Sequence, residues 1–142
     1  MELNKIEKEL KWVKLSDLKP YQDNPRHNNK SAKIVAKSIE TYGYINPVVV
    51  TENNIILAGH TRLKALKILG SEDADVLVVK GLNENQIKGF VIADNRVGEY
   101  SQWNYSAIDR LVTGDNDPLL HELGITSFKD NKAELENLIT IS

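Results

Sequence analysis

The apolar run Ile55-Ile56-Leu57 passes straight into Ala58-Gly59-His60-Thr61-Arg62, after which Leu63, Leu66, Ile68 and Leu69 recur at helical spacing. A strand that turns on a glycine into a helix is half of an α/β unit, and it constrains the fold more than any other stretch. Gly70 is placed to stop that helix. Upstream, Pro47-Val48-Val49-Val50 is a second β-branched run, separated from Ile55 by the polar residues Glu52-Asn53-Asn54, and the two predict a hairpin. Val76 to Val79 predicts a buried strand, and Trp12, Val13 and Leu15 predict a short one near the start. Strands interleaved with helices give an α/β (mixed α+β) class, a small mixed sheet with packed helices.

Two further helices frame this unit. From Lys30 to Tyr42 the residues Ile34, Val35, Ile39 and Tyr42 share one side, with Gly43 at the C′ position. Asn83 followed by Gln86 reads as a capping box that opens a helix running to about Tyr100. Lys19 to Arg26, with Pro20 and Pro25, reads as a loop. Ser106 to Val112, Asp117 to Leu123 and a last turn or two within Lys132 to Ile139 read as short helices. The organisation expected is an N-terminal extension over 1–11, a folded domain over 12–105 and a C-terminal helical extension over 106–142.

Composition excludes several classes. Across 142 residues, 41% are hydrophobic and 27% charged, which suits one folded domain and argues against wholesale disorder. No run approaches the roughly 18 apolar residues of a membrane span, and the polar start has no signal-type apolar core, so a cytoplasmic location is expected. The absence of cysteine removes disulfides, thiolate metal sites and cysteine chemistry. A net charge of -2 is a poor match for a domain that grips DNA through its whole surface. Any nucleic-acid contact must come from a local patch.

Three sets of residues could carry chemistry. Gly59-His60-Thr61-Arg62 lies at the mouth of a helix, where free backbone N–H groups and the helix dipole favour an anion. Thr61 adds a hydroxyl, Arg62 a fork of donors and His60 a titratable group. A structural reading stands beside this one, with Gly59 making a tight turn, Thr61 capping and Arg62 solvated. In the later helix, Ile87, Phe90, Val91, Asp94, Val97 and Gly98 fall on one face, which places the Asp94 carboxylate within an apolar stripe. A carboxylate there requires a hydrogen-bonded cap, an ion pair or a metal, and with the Asn95 amide it suits Mg²⁺. The competing reading is a bond to the backbone of a neighbouring loop. Arg26, His27, Lys30, Lys33 and Lys37 form a basic stripe that is either a solvated face or a DNA contact. Trp103 and Tyr105 are read as packing residues. His27, His60 and His121 lack metal-ligand spacing, and the nucleotide-binding P-loop, the dinucleotide glycine motif and the serine-hydrolase elbow are all missing.

Four motifs in order carry a family resemblance. Leu18-Lys19-Pro20-Tyr21 with Asn24-Pro25-Arg26, then Ser38-Ile39 through Gly43 to Pro47-Val48-Val49-Val50, then Ile56 to Ala65, and finally Ile92-Ala93-Asp94-Asn95-Arg96 resemble the ParB N-terminal domain of the ParB/sulfiredoxin superfamily. The resemblance covers roughly Trp12 to Tyr105. It implies a nucleotide ligand, CTP or ATP with Mg²⁺. It further implies that Gly43 and Pro47 help form a base pocket, that Gly59, His60, Thr61, Arg62 and Arg96 hold the nucleotide and its phosphates, and that Asp94 and Asn95 bind the metal. His60 and Asp94 are the catalytic candidates, and Arg26, Lys30, Lys33 and Lys37 the DNA-binding ones.

The chain departs from parts of that family. Partition proteins carry Gly-Glu-Arg-Arg where this chain has Gly59-His60-Thr61-Arg62, so the carboxylate linked to CTP hydrolysis is missing. Sulfiredoxin uses a cysteine in the same box, and none is present. The box is similar to that of phage and mobile-element ParB-like proteins, which are often termed nucleases and found near DNA methyltransferases. A free serine kinase on the same fold also has a histidine there. After Tyr105 only 37 residues remain, too few for the helix-turn-helix and dimerisation domains of partition proteins. The function expected is a nucleotide-binding switch or accessory factor on DNA. A Mg²⁺-dependent nuclease or phosphotransferase and a ligand-free protein-interaction domain are the alternatives. DNA, a DNA methyltransferase or other DNA-processing protein, and a second copy in a homodimer are the partners considered.

Overall fold

The computed structural model describes residues 2–21 and 29–100, with only the backbone described at 29–30 and 95–100. The expected helices beyond Tyr100 and the loop carrying Arg26 and His27 lie outside the described residues. Chain order is β1 (Glu7–Lys14), a short 3-10 turn (Leu15–Asp17), α1 (Asn29–Tyr42), β2 (Val48–Thr51), β3 (Ile56–Ala58), α2 (His60–Ile68), β4 (Asp73–Lys80) and α3 (Glu84–Tyr100). Residues 1–94 form one compact unit and residues 95–142 a second, so α3 begins in the first and continues into the second.

The strands make a four-stranded sheet in the order β1-β4-β2-β3. β4 pairs antiparallel with β1, from Glu7 opposite Lys80 to Lys14 opposite Asp73, and parallel with β2, from Val48 opposite Val76 to Thr51 opposite Val79. The mixed α/β class is therefore observed. β1 is longer than the short strand expected around Trp12 and Val13. Its charged residues mask the strand, because six of its eight positions precede Val13 and are exposed.

The hairpin forms as expected, and Thr51 shapes it. Its buried hydroxyl accepts the amides of Asn53 and Ile55, each at 3.2 Å, while Asn54 takes a left-handed φ of 64°. Helix ends also follow the sequence. At α2 the amide of Gly70 bonds to the Lys67 carbonyl and that of Ser71 to the Leu66 carbonyl, both at 3.0 Å, the paired bonds of a Schellman stop. At α3 the Asn83 side chain accepts from the Gln86 amide at 2.9 Å and the Gln86 side chain from the Asn83 amide at 3.0 Å, a reciprocal box.

One face of the sheet carries the core. Val48, Val50, Ile56, Ala74, Val76 and Val78 meet Leu15, Leu18, Leu63 and Leu66, with Val13, Ile39 and Tyr44 at the margin. α1 packs against α2. Its most buried residues are Ala32 and Ala36, while Tyr42 at the end of the expected stripe is exposed. Small side chains let the two helices approach closely, so the contact seam runs beside the bulky stripe rather than along it. Among the described residues no helix is long and apolar enough to cross a membrane.

Candidate functional site

Three segments meet where β3 ends and α2 starts. Gly59 sits at the N-cap of α2 with φ 97° and no side-chain cap, and its carbonyl accepts the first intrahelical bond from Leu63 at 2.9 Å. A Cβ at Gly59 would stand 3.1 Å from the Val48 Cα and 3.2 Å from the Arg62 Nη1. Glycine is needed here both for its left-handed φ and for this approach.

Arg62 folds back across that glycine. Its Nη1 donates to the Pro47 carbonyl at 3.3 Å, tying the first turn of α2 to the residue before β2. The guanidinium also lines an open cavity of about 200 Å³ formed by Val35, Ser38, Ile39 and Tyr42 of α1 and by Gly43, Tyr44, Ile45 and Asn46. A bond to one carbonyl uses only part of the guanidinium's five donors. Arg62 is thus half-buried and tied to the backbone rather than fully solvated.

Gly43 closes α1 with φ 96°, its amide bonding to the Ile39 carbonyl at 2.8 Å, and turns the chain into the cavity wall. Tyr44 then braces the wall, its hydroxyl accepting the Val48 amide at 2.8 Å. Burial pushes the Tyr44 phenol above its ordinary pKa, against the lowering effect of that amide. Sequence reasoning missed Tyr44, Asn46 and Ser38. Tyr44 lies between two residues that were singled out, Gly43 and Pro47, and that position was the available signal.

The structure thus brings Gly43, Pro47, Gly59 and Arg62 together. Thr61 is buried within the fold and does not line the cavity. His60 is engaged elsewhere, its Nε2 accepting the backbone amide of Tyr21 at 3.2 Å. Burial, and secondarily the Lys64 ammonium, hold the imidazole below its ordinary pKa, which agrees with an unprotonated Nε2. To act as a base, His60 would first have to release Tyr21.

Asp94 corrects one expectation. It is exposed rather than buried, and Phe90 and Ile92 beside it are exposed as well, while Val91 is buried. Helical spacing alone could not tell which side of α3 is covered, so the argument from a buried carboxylate does not hold. The side chains of Asn95 and Arg96 lie outside the described residues. Among the described residues no three His, Asp or Glu gather into a metal cage. Lys33 and Lys37 are exposed, and at about 100° per residue they fall on the side of α1 opposite Val35 and Tyr42. Lys30 belongs to the same stripe by spacing, with its side chain outside the described residues.

Known proteins resemble this arrangement. The family model described as ParB N-terminal domain matches residues 1–95. The ParB-like nuclease domain-containing protein YnaK of Escherichia coli (strain K12) is 36% identical over 73 residues, 51% of this chain and 84% of that protein. A probable chromosome-partitioning protein ParB of Campylobacter jejuni is 28% identical over 79 residues, 54% of this chain and 28% of that protein. The chain therefore spans little more than a quarter of that relative. Among solved structures, a C-terminally truncated chromosome-partitioning ParB from Caulobacter crescentus complexed with CTP-gamma-S superposes with a TM-score of 0.59 at 18% identity, over 94% of this chain and 71% of that one. A Pnob8-like ParB-N domain gives 0.54 at 19% identity, over 96% and 53%. At these identities the structural matches show the fold.

Proposed function

The chain belongs to the ParB N-terminal domain family, and from that membership we propose that it is a nucleotide-binding module, for CTP or ATP with Mg²⁺, that acts as a switch or accessory factor on DNA. One observation carries the reading: the Arg62 guanidinium stands beside the left-handed Gly59 at the start of α2 and lines the cavity that Gly43 helps to wall. The cavity is of a size for one small ring system, and Arg62 with the positive end of the α2 dipole suits phosphate oxygens. The solved relative with a bound CTP analogue supports the same ligand class.

A metal fits this reading through its donor set. Asp94 is an exposed carboxylate followed in sequence by Asn95, and Mg²⁺ commonly binds one or two such groups together with water and substrate phosphates. Bound there, the ion would neutralise phosphate charge. Arg62 would orient the phosphates, Gly43 and Pro47 would bound the base, and Arg96 would add a further donor. Lys33 and Lys37, with Arg26 and Lys30, would supply a DNA contact that is electrostatic and salt-sensitive.

A second reading, a Mg²⁺-dependent nuclease or phosphotransferase, draws on the similarity to YnaK and on His60, whose pKa burial lowers, at the first position of α2 beside Gly59. It gives His60 or Asp94 the proton-transfer role. Thermal unfolding with CTP, ATP, GTP, UTP and ADP, with and without Mg²⁺, tests the first reading. Ligand at 100 times its dissociation constant adds about 2.7 kcal/mol, a shift of several degrees. No shift with any nucleotide overturns it, and Mg²⁺-dependent DNA cleavage lost in Asp94→Ala establishes the second.

A further inference from the structure

β1 is the outer strand of the sheet, so one side of its backbone has no partner among the described strands. An unpaired edge is a template for another strand, and proteins usually guard it with charge. Here the guard is unusual. The strand reads Glu7, Lys8, Glu9, Leu10, Lys11, Trp12, Val13, Lys14, with Leu10 62% and Trp12 66% exposed. A tryptophan this exposed on an edge strand, two residues from an exposed leucine, is costly to leave in water.

We propose that β1 is a self-association edge, along which a second copy of this chain adds its own β1 antiparallel, with Leu10 of each copy on the twofold axis. The argument is one of register. A twofold axis normal to the sheet keeps each face matched to itself, so even-numbered residues meet even-numbered ones and odd meet odd. Centred on Leu10, the pairing sets Leu10 against Leu10, Lys8 against Trp12 twice and Glu9 against Lys11 twice. These are an apolar pair, two cation-π pairs and two opposite-charge pairs. Centres on Glu9, Lys8 or Lys11 are penalised by charge: the first sets Glu9 against itself, the second Lys8 against itself, and the third Lys11 against Lys11 and Lys8 against Lys14. Centres on Trp12 or Val13 oppose no like charges but leave only five or three residues of the strand paired, so charge and length together favour the Leu10 register. Glu9 also reaches Lys80 of β4 within its own copy at 3.1 Å, so in the dimer its carboxylate is shared between that ammonium and Lys11 of the second copy.

The contact spans only the seven residues from Glu7 to Val13, much less than an interface of about 1,200–2,000 Å² requires, so the dimer is weak and depends on concentration. This inference is independent of the nucleotide reading. Sedimentation equilibrium of the full chain without nucleotide tests it, across a wide concentration range and beside circular dichroism to verify folding. The expected result is a monomer–dimer equilibrium whose dissociation constant rises about tenfold in Lys11→Glu and again in Glu9→Lys. The double variant Glu9→Lys with Lys11→Glu restores opposite charges across the axis and returns the constant towards that of the unaltered chain. In a second measurement Leu10→Cys, the sole thiol in its chain, forms a covalent dimer with diamide while Lys14→Cys does not. A monomer at every concentration overturns the proposal, as does a folded Lys11→Glu that associates unchanged or a double variant that does not recover.

Discussion

The backbone amide of Tyr21 donates to Nε2 of His60 at 3.2 Å, joining residues 39 apart in the chain. The bond exists only while that nitrogen is unprotonated. Burial and the Lys64 ammonium both lower the His60 pKa in the fold, so the unfolded chain takes up the proton first as pH falls. The stability this contact supplies is therefore present above the ordinary histidine value near 6.5 and is lost as pH drops through the lower folded value. Melting curves between pH 8 and pH 5 should decline, and His60→Gln should decline less steeply over the same range. Equal slopes for the two proteins would remove His60 as the cause.

Gly59 and Gly43 share nearly the same φ but not the same surroundings. Alanine at Gly43 meets nothing within 4 Å, so its cost is backbone strain alone, about 1–2 kcal/mol. Alanine at Gly59 adds the 3.1 Å approach to the Val48 Cα and displaces the Arg62 guanidinium. Urea titration should find Gly59→Ala the less stable variant, and nucleotide binding should fall further in it than in Gly43→Ala.

Arg62→Ala should weaken nucleotide binding by about 1.5–3 kcal/mol, the scale of a charged hydrogen bond. Arg62→Lys should recover little of this, because an ammonium cannot bond the Pro47 carbonyl and a phosphate with the same fork. Calorimetric titration with the nucleotide that gives the largest thermal shift reads both values. Wild-type affinity in a folded Arg62→Ala would remove the phosphate role.

Tyr44→Phe leaves the Val48 amide without its acceptor beneath a residue that is fully buried. The expected loss is about 1–3 kcal/mol, measured by denaturant unfolding. Tyr44 had no signal of its own in the sequence.

Reversing Lys30, Lys33 and Lys37 to glutamate should weaken DNA binding and flatten its salt dependence. Nucleotide affinity should hold, since Lys33 and Lys37 fall on the side of α1 away from the cavity. Fluorescence anisotropy with a labelled duplex over a range of salt concentrations measures the slope, and an unchanged slope would make the stripe a solvated face.

What could be read from the residues followed local chemistry. The glycine turn at Gly59, the stop at Gly70, the Asn83–Gln86 box and the hairpin around Asn54 each depend on neighbours in the chain, and each is observed. What escaped depends on distant partners. Ala32 and Ala36 are buried because α2 lies against them, which a search for bulky apolar residues overlooks. The same blindness placed Asp94 under cover. β1 was shortened because its pairing with β4, not its own composition, makes it a strand.

That pairing orders the birth of the fold. β4 lies between β1 and β2, yet it is the last of the four strands to leave the ribosome. Until Lys80 has been made, the only pair available among the described strands is the small hairpin of β2 and β3. β1 must wait across some sixty residues for its neighbour, so the loop-closure cost of the sheet falls due in a single late step. Folding is expected to be slow to nucleate and abrupt once it begins, with the nascent chain holding β1 unpaired until β4 arrives.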